Sequence, residues 1–323
     1  MIEVEPGDWN ALLARLGVED VYLRREYVES ACTIEAGTPT FLTDGDVGFP
    51  CILREFRDAL DVTTPYGYGG PVAVAEDADA FYAGYREWCR ERGVVSTFVR
   101  FHPLYENQRY ARIAVQPLGS TVAWRLRAGD LFERMHSHHR RVVRKAQRAG
   151  LEMSTEEAPP LGEFVALYER TMLRLDADSF YLFTPEYWES LRALPLLLVS
   201  ARREGELLAS VLCFAAKPWL HYHLGASSDE GRRLGASHLV LYEAASWARV
   251  QGYELFHLGG GVGGRADSLH EFKSRFDPGS EREFAIGRAI HDETAYYELS
   301  EATRDNSADA SGFFPAYRDT SRR

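Results

Sequence analysis

The chain has 323 residues, 45% apolar and 26% charged, which is enough to build more than one core and too apolar for a disordered or fibrous chain. Its formal charge of −11 excludes a broad nucleic-acid-coating surface, since nonspecific phosphate binding needs an excess of Lys and Arg, yet leaves room for a confined basic site. Cys32, Cys51, Cys89 and Cys213 show neither metal spacing nor disulfide density, no apolar run approaches the ~20 residues of a membrane span, and Met1 to Asp8 is no signal peptide, so a cytoplasmic protein is expected.

The elements, taken in chain order, are written twice. Glu26-Tyr27-Val28-Glu29-Ser30 returns as Glu186-Tyr187-Trp188-Glu189-Ser190 at an offset of 160, and the same offset carries the turn glycine Gly45 onto Gly205. Trp88 and Gly93 match Trp247 and Gly252 at an offset of 159, each pair closing a helical pattern that a β-rich run follows. A period this long means a duplicated domain and not a solenoid repeat. Each copy reads helix, hairpin, strand, helix, strand, which predicts a mixed sheet flanked by helices, an α/β (mixed α+β) architecture. The expected division is a first domain over 1–130, a connecting basic helix over 131–151 and a second domain over 152–291. The polar end over 301–323 is expected to be mobile except where Phe313-Phe314 docks, and the tail 292–323 to pack on the first domain.

Between the copies, Arg134, Arg140, Arg141, Arg144, Lys145 and Arg148 occur within 134–151 with no carboxylate. As a helix this segment turns Val142, Val143 and Ala146 inward and lines Arg141, Arg144, Lys145 and Arg148 along one face, suited to a polyphosphate or RNA backbone. The alternative is a solvated helix whose cations meet acidic neighbours. His136, His138 and His139 precede it as ligands or extra donors, but no carboxylate or cysteine stands at matching spacing, so no metal site is expected.

Helical periodicity over 161–175 leads through Phe180-Tyr181 to a short helix over 185–191, with Thr184 as N-cap and Pro185 at its first position. Strands are predicted over 196–202, 207–215, 219–225 and 254–258, a helix over 236–251 and a further strand over 284–290. Asp229 to Ser237 is read as a loop between strand and helix. Its small residues let backbone N–H groups meet an anion where the helix dipole assists, and Arg232-x-x-Gly235-x-Ser237 resembles the pyrophosphate loop of GNAT acyltransferases.

Gly259-Gly260-Gly261-Val262-Gly263-Gly264 formally fits a dinucleotide fingerprint, but the helical pattern after it, over 268–276, is too short and the strand before it opens no βαβ unit. The glycines instead permit close backbone approach to a ligand, or merely a mobile loop. In the next segment Phe272 and Phe276 are expected inward, with Lys273 and Arg275 projecting near the glycine loop, where a cation holds a phosphate or steadies charge on a reacting carbonyl. An ordinary exposed helix is the alternative. Tyr222 and His223, adjacent on a strand, face opposite sides. His221 and His223 share a side, as proton acceptors or structural histidines, and no general base is assigned. Gly-x-Ser-x-Gly and His-Glu-x-x-His are both absent from the sequence.

The basic helix HHRRVVRKAQRAG, the segment WLHYHLGASSDEGRRLGASHLVLYEAASWA, the glycine loop and FKSRF, in this order and over a duplicated chain, resemble the FemABX family of aminoacyl-tRNA-dependent peptidyltransferases and their tandem-GNAT relatives. The resemblance implies two GNAT-like domains and an acyltransferase. It would transfer an aminoacyl group from aminoacyl-tRNA to an amine of a peptidoglycan precursor or a small, antibiotic-like acceptor. A CoA-dependent N-acyltransferase is the alternative donor reading, and a noncatalytic phosphate- or RNA-binding module a third. No tightly bound cofactor is implied. Carried onto this chain, the resemblance makes Lys273 the lysine beside substrate carbonyl and phosphates, Tyr222 the aromatic facing the acceptor, and Arg174 a loosely matched phosphate arginine. The helical arm that some members use for tRNA is not seen.

Overall fold

The computed structural model describes residues 1–73, 78–301 and 313–319. Two compact units divide the chain, 1–118 with 284–323, and 119–283.

The first unit runs β1 (Ile2–Glu3), α1 (Trp9–Arg15), α2 (Arg25–Glu35), β2 (Gly37–Thr43), β3 (Val47–Phe56), β4 (Ala59–Thr63), β5 (Val72–Ala73), α3 (Asp79–Arg92) and β6 (Val94–Arg100). The second runs β7 (Ala114–Arg125), α4 (Leu131–Arg134), α5 (Ser137–Arg148), β8 (Glu152–Glu157), α6 (Gly162–Arg174), α7 (Pro185–Ser190), β9 (Leu196–Arg203), β10 (Glu206–Ala216), β11 (Trp219–Ser227), α8 (Asp229–Leu234), α9 (Ala236–Val250), β12 (Leu255–Gly259) and α10 (Ser268–Ser274). β13 (Glu281–Ile290) and α11 (Glu293–Glu301) then return to the first unit.

Both units repeat one topology. In the first, β2, β3 and β4 are antiparallel, β4 pairs parallel with β6 across α3, and β13 closes the order antiparallel to β6. In the second, β9, β10 and β11 are antiparallel, β11 pairs parallel with β12 across α9, and β7 closes the order antiparallel to β12. A parallel pair needs a crossover helix, and α3 and α9 supply it. Trp88 and Trp247 lie late in those helices, and Gly93 (φ +69°) and Gly252 (φ +84°) take the left-handed turn that ends each.

In chain order each closing strand follows the opposite copy: β7 comes after the first copy and closes the second unit, and β13 comes after the second copy and closes the first. The compact units divide at 118/119 and 283/284, where the sequence reading set its divisions at 130 and 152. The basic helix α5 is no linker, because Val143 and Ala146 are fully buried in the second unit's core with Trp124, Leu239 and Phe276. In the tail, Phe314 stacks on Tyr296 (5.7 Å between ring centroids) and the Tyr317 hydroxyl meets Ser96 Oγ at 2.8 Å, both within the first unit. Expectations for 302–312 and 320–323 lie outside the described residues. No helix among those described is long and apolar enough to cross a membrane.

Two elements depart from the sequence reading. The polar stretch Glu152–Glu157 is an edge strand on β9, and Asp229–Leu234 is the helix α8 where a loop was expected. Ser228 caps that helix by accepting from Gly231 N–H at 3.0 Å, with Asp229 and Glu230 in its first turn.

Candidate active site

The second unit opens where its parallel pair stops. Pairing of β11 with β12 covers Trp219↔Leu255, Leu220↔Phe256 and His221↔His257. Immediately beyond, β11 carries a bulge: Cys213 of β10 faces Tyr222 while Leu212 faces Leu224, leaving His223 as the extra residue. A bulge re-aims side chains and ends regular pairing, so the rest of β11 and the glycine loop after β12 form the two sides of a wedge.

Local chemistry fixes what points into it. Asp267 caps α10 by accepting from His270 N–H (2.9 Å), and its other carboxylate oxygen accepts from Val262 N–H (2.9 Å), tying the glycine loop to the helix start. Any Cβ at Gly261 would lie 2.2 Å from Asp267 Oδ1, so that position requires glycine. Burial acts to raise the Asp267 carboxyl, but the N–H groups of His270, Val262 and Leu269, with the Lys273 ammonium, hold it below its usual range. Phe276, fully buried against Trp124 (5.1 Å between centroids), anchors the other end of α10.

Lys273 is thereby turned inward. It is 5% exposed, its Nζ donates to Gly260 O at 2.8 Å and lies 4.7 Å from the centroid of the Tyr222 ring. Burial lowers its pKa to about 7, partly opposed by Asp267, so near neutral pH it exchanges between ammonium and amine. The Tyr222 ring lies over its own strand at Gly225, where a Cβ would come within 2.6 Å of the hydroxyl oxygen. Its phenol is held protonated by burial.

The remaining sequence candidates fall elsewhere. His223 is buried in the core, with Nε2 2.7 Å from the Tyr187 hydroxyl and its ring 4.3 Å from that of Phe214, and burial depresses its pKa to about 3. Those partners are the ones a packing histidine makes. The bulge also separates its environment from that of His221, whose Nδ1 meets His257 Nδ1 at 3.2 Å. Arg275 turns to Glu271 on its own helix and not to the glycine loop. Arg174 donates to Ser227 O at the end of β11 (2.9 Å) and lies 3.5 Å from Asp229.

Gly235 is buried in the left-handed region (φ +83°), and a Cβ there would lie 2.5 Å from Val142 Cγ1 of α5. Arg232 is exposed and pairs with Asp229 at 2.6 Å. On α5, Arg141, Arg144, Lys145 and Arg148 are exposed and Val143 and Ala146 buried. Arg144 packs over Phe132 (4.7 Å) and Lys145 donates to Arg233 O (2.6 Å), whereas Arg141 and Arg148 have no ion-pair partner among the described residues. Gly259 (φ +71°) ends β12, and Gly260 approaches Ser120 of β7, where a Cβ would lie 2.8 Å from Ser120 O.

Residues that the sequence reading missed are Asp267, which aims the loop, and β7's contribution: Ser120 Oγ meets His270 Nε2 at 2.9 Å, and the buried Thr121 hydroxyl has no hydrogen-bond partner among the described residues. Asp267 three residues before His270 was legible as a cap. Ser120 and Thr121 come from 150 residues away and carried no local signal.

Residues 133–274 match the family model described as an acetyltransferase (GNAT) domain. This unit is a GNAT-type acyltransferase domain. The match spans the wedge, Lys273 included, and marks the protein as an enzyme. Across most of the chain the GNAT-type fold extends to solved structures at low identity. The crystal structure of FemX is similar at 13% identity over 93% of this chain and 99% of that one (TM-score 0.66). The C-terminal (DUF2156) domain of a putative lysylphosphatidylglycerol synthetase from Agrobacterium fabrum is similar at 16% over 93% and 96% (TM-score 0.61). A tandem GNAT protein from the clavulanic acid biosynthesis pathway is similar at 12% over 89% and 95% (TM-score 0.51). The chain thus shares its fold with FemABX-type and tandem GNAT proteins. No curated protein matches its sequence.

Proposed function

We propose that this acyltransferase joins an aminoacyl group to an amine, taking it from aminoacyl-tRNA and giving it to a peptidoglycan precursor or a small-molecule acceptor. The observation that carries the reading is Lys273, a buried amine in the wedge whose Nζ donates to Gly260 O and lies over the Tyr222 ring. The acceptor amine attacks the ester carbonyl, a C–N bond forms, and the carbonyl oxygen takes the negative charge that the Lys273 ammonium stabilises. Collapse breaks the bond to the ribose oxygen, which leaves as a hydroxyl carrying the proton given up by the amine. A group titrating near pH 7 suits both the hydrogen bond and that proton relay. Tyr222 packs beneath Lys273 and keeps water from its lower side.

The packing of α5 over the start of α9 favours tRNA over CoA. With Gly235 against Val142, and Lys145 on Arg233 O, the turn resembling a pyrophosphate loop is covered, while Arg141 and Arg148 offer cations to a nucleic-acid backbone. An acyl-CoA donor is the second reading, favoured by the acetyltransferase match over 133–274.

The test supplies radiolabelled aminoacyl-tRNA or acetyl-CoA with a panel of acceptors: a peptidoglycan precursor amine, small amines and phosphatidylglycerol vesicles. Ribonuclease-sensitive transfer to an amine is expected. Transfer from acetyl-CoA alone sinks the tRNA reading, and ester formation on phosphatidylglycerol alone sinks the amine acceptor.

A further inference from the structure

Beside the wedge, at the packed starts of α5 and α9, three histidines converge: His138, His139 and His238. One ring nitrogen from each lies within 4.8 Å of the other two. The sequence reading expected no metal because no carboxylate or cysteine stands at matching spacing to His136, His138 and His139, and the fold brings His238 from 99 residues beyond His139.

His139 is prepared as a ligand. It is 1% exposed, and its Nε2 lies 2.8 Å from Phe272 O. A carbonyl oxygen only accepts, so Nε2 carries the proton and Nδ1 is left with a bare lone pair. Nδ1 is buried and has no hydrogen-bond partner among the described residues. An unsatisfied buried acceptor costs stability unless something meets it. A ring fixed through a backbone carbonyl, with its other nitrogen free, is the arrangement of a metal-ligating histidine. His238 packs its ring at 4.5 Å from that of His139 and 4.9 Å from that of Phe272, while His138 is exposed with its ring 6.3 Å from that of His238.

We propose that His138, His139 and His238 bind one divalent transition-metal ion, with Zn²⁺ the ion of choice. A tetrahedral Zn²⁺ with bonds of about 2.0–2.1 Å holds its nitrogens about 3.4 Å apart, so each ring moves by about 1 Å or less to close the site. Three histidines with an open fourth position suit Zn²⁺ and leave room for water or an exogenous ligand. The N-terminal ends of two helices set a positive potential there, which lowers affinity for the bare ion and favours an anion as the fourth ligand.

Tag-free chain, stripped with chelator and dialysed, is titrated with ZnCl₂ by calorimetry and with CoCl₂ by visible absorption. One Zn²⁺ per chain is expected, with Co²⁺ giving the intense visible bands of a tetrahedral site. His138→Ala and His238→Ala should each weaken binding at least tenfold. His138 is exposed, so its variant keeps the far-UV circular dichroism of the wild type and isolates ligation from folding. No zinc binding by the wild type, or binding within twofold of wild type in both variants, overturns the site. Neither result depends on the donor or acceptor of the transfer reaction.

Discussion

The two copies build the same parallel pair and finish it differently. In the first, β4 and β6 pair as far as Thr63↔Phe98 and the chain beyond keeps to the strand: Thr64 N–H reaches Phe98 O (3.2 Å), Arg100 N–H reaches Thr64 Oγ1 (2.9 Å), and Gly69 N–H reaches Arg100 O (2.8 Å). Asn107, 4% exposed, locks this closure by donating to Gly69 O and Pro71 O and accepting from His102 N–H. In the second, pairing ends at His221↔His257 and a buried lysine occupies the space. One topology thus yields a closed copy whose polar groups satisfy one another and an open copy holding an ammonium ion. Fold is shared and chemistry is local.

The largest effect is expected from the group that distinguishes the open copy. Lys273→Met should lower kcat about 10²–10³-fold, the scale of losing one oxyanion donor. It should also raise the melting temperature, because burying a cation costs stability that Met does not incur. The sign follows from linkage: the unfolded lysine holds its proton to about 10.5 and the folded one releases it near about 7, so wild-type stability climbs between those values. The stability advantage of Lys273→Met should therefore shrink as pH rises from 7 to 10. In the wild type, kcat/KM should fall as pH passes about 7 and the ammonium is lost, and Lys273→Arg, always protonated, should lack that limb. A variant that loses activity together with stability would make Lys273 a structural residue.

The closed copy gives the next effect. Asn107→Ala leaves three backbone groups without their partner, and a loss of about 1–3 kcal/mol is expected in chemical denaturation. Turnover per folded molecule should stay within twofold, since that copy holds no reacting group. A large fall in turnover with little loss of stability would place chemistry in the first copy and undo the contrast.

How much of this contrast the sequence carried follows from the range of each signal. The duplication was legible as local motifs matched at an offset of 160, and the crossover helices and the place of Lys273 near the glycine loop because residues within one or two turns of each other set them. The wedge was not, since where a parallel ladder stops depends on the bulge at His223, which only pairing with β10 defines. The unit boundaries were hidden by the exchange of β7 and β13, a connection between distant segments. β8 was missed because Glu152–Glu157 carries almost no apolar alternation at a sheet edge. α8 had readable signs in Ser228, Asp229 and Glu230, which the neighbouring glycines outweighed.

The smallest effect separates the cations of α5 from one another. The sequence treats Arg141, Arg144, Lys145 and Arg148 as one face, yet two of them hold the fold: Arg144 against Phe132 and Lys145 on Arg233 O. The side chains of Arg141 and Arg148 are exposed and make no hydrogen bond, ion pair or ring contact among the described residues, so they are the cations available to a phosphate backbone. Arg141→Ala with Arg148→Ala should weaken aminoacyl-tRNA binding several-fold at low salt and make the slope of log K against log salt shallower by about 1.4–1.8, the counterions of two phosphate contacts. Lys145→Ala should instead lower stability by about 1 kcal/mol through its lost carbonyl contact, with a smaller change in slope. An unchanged slope in the double variant would assign the whole face to solvent, and the open copy would then have to hold its donor through the wedge alone.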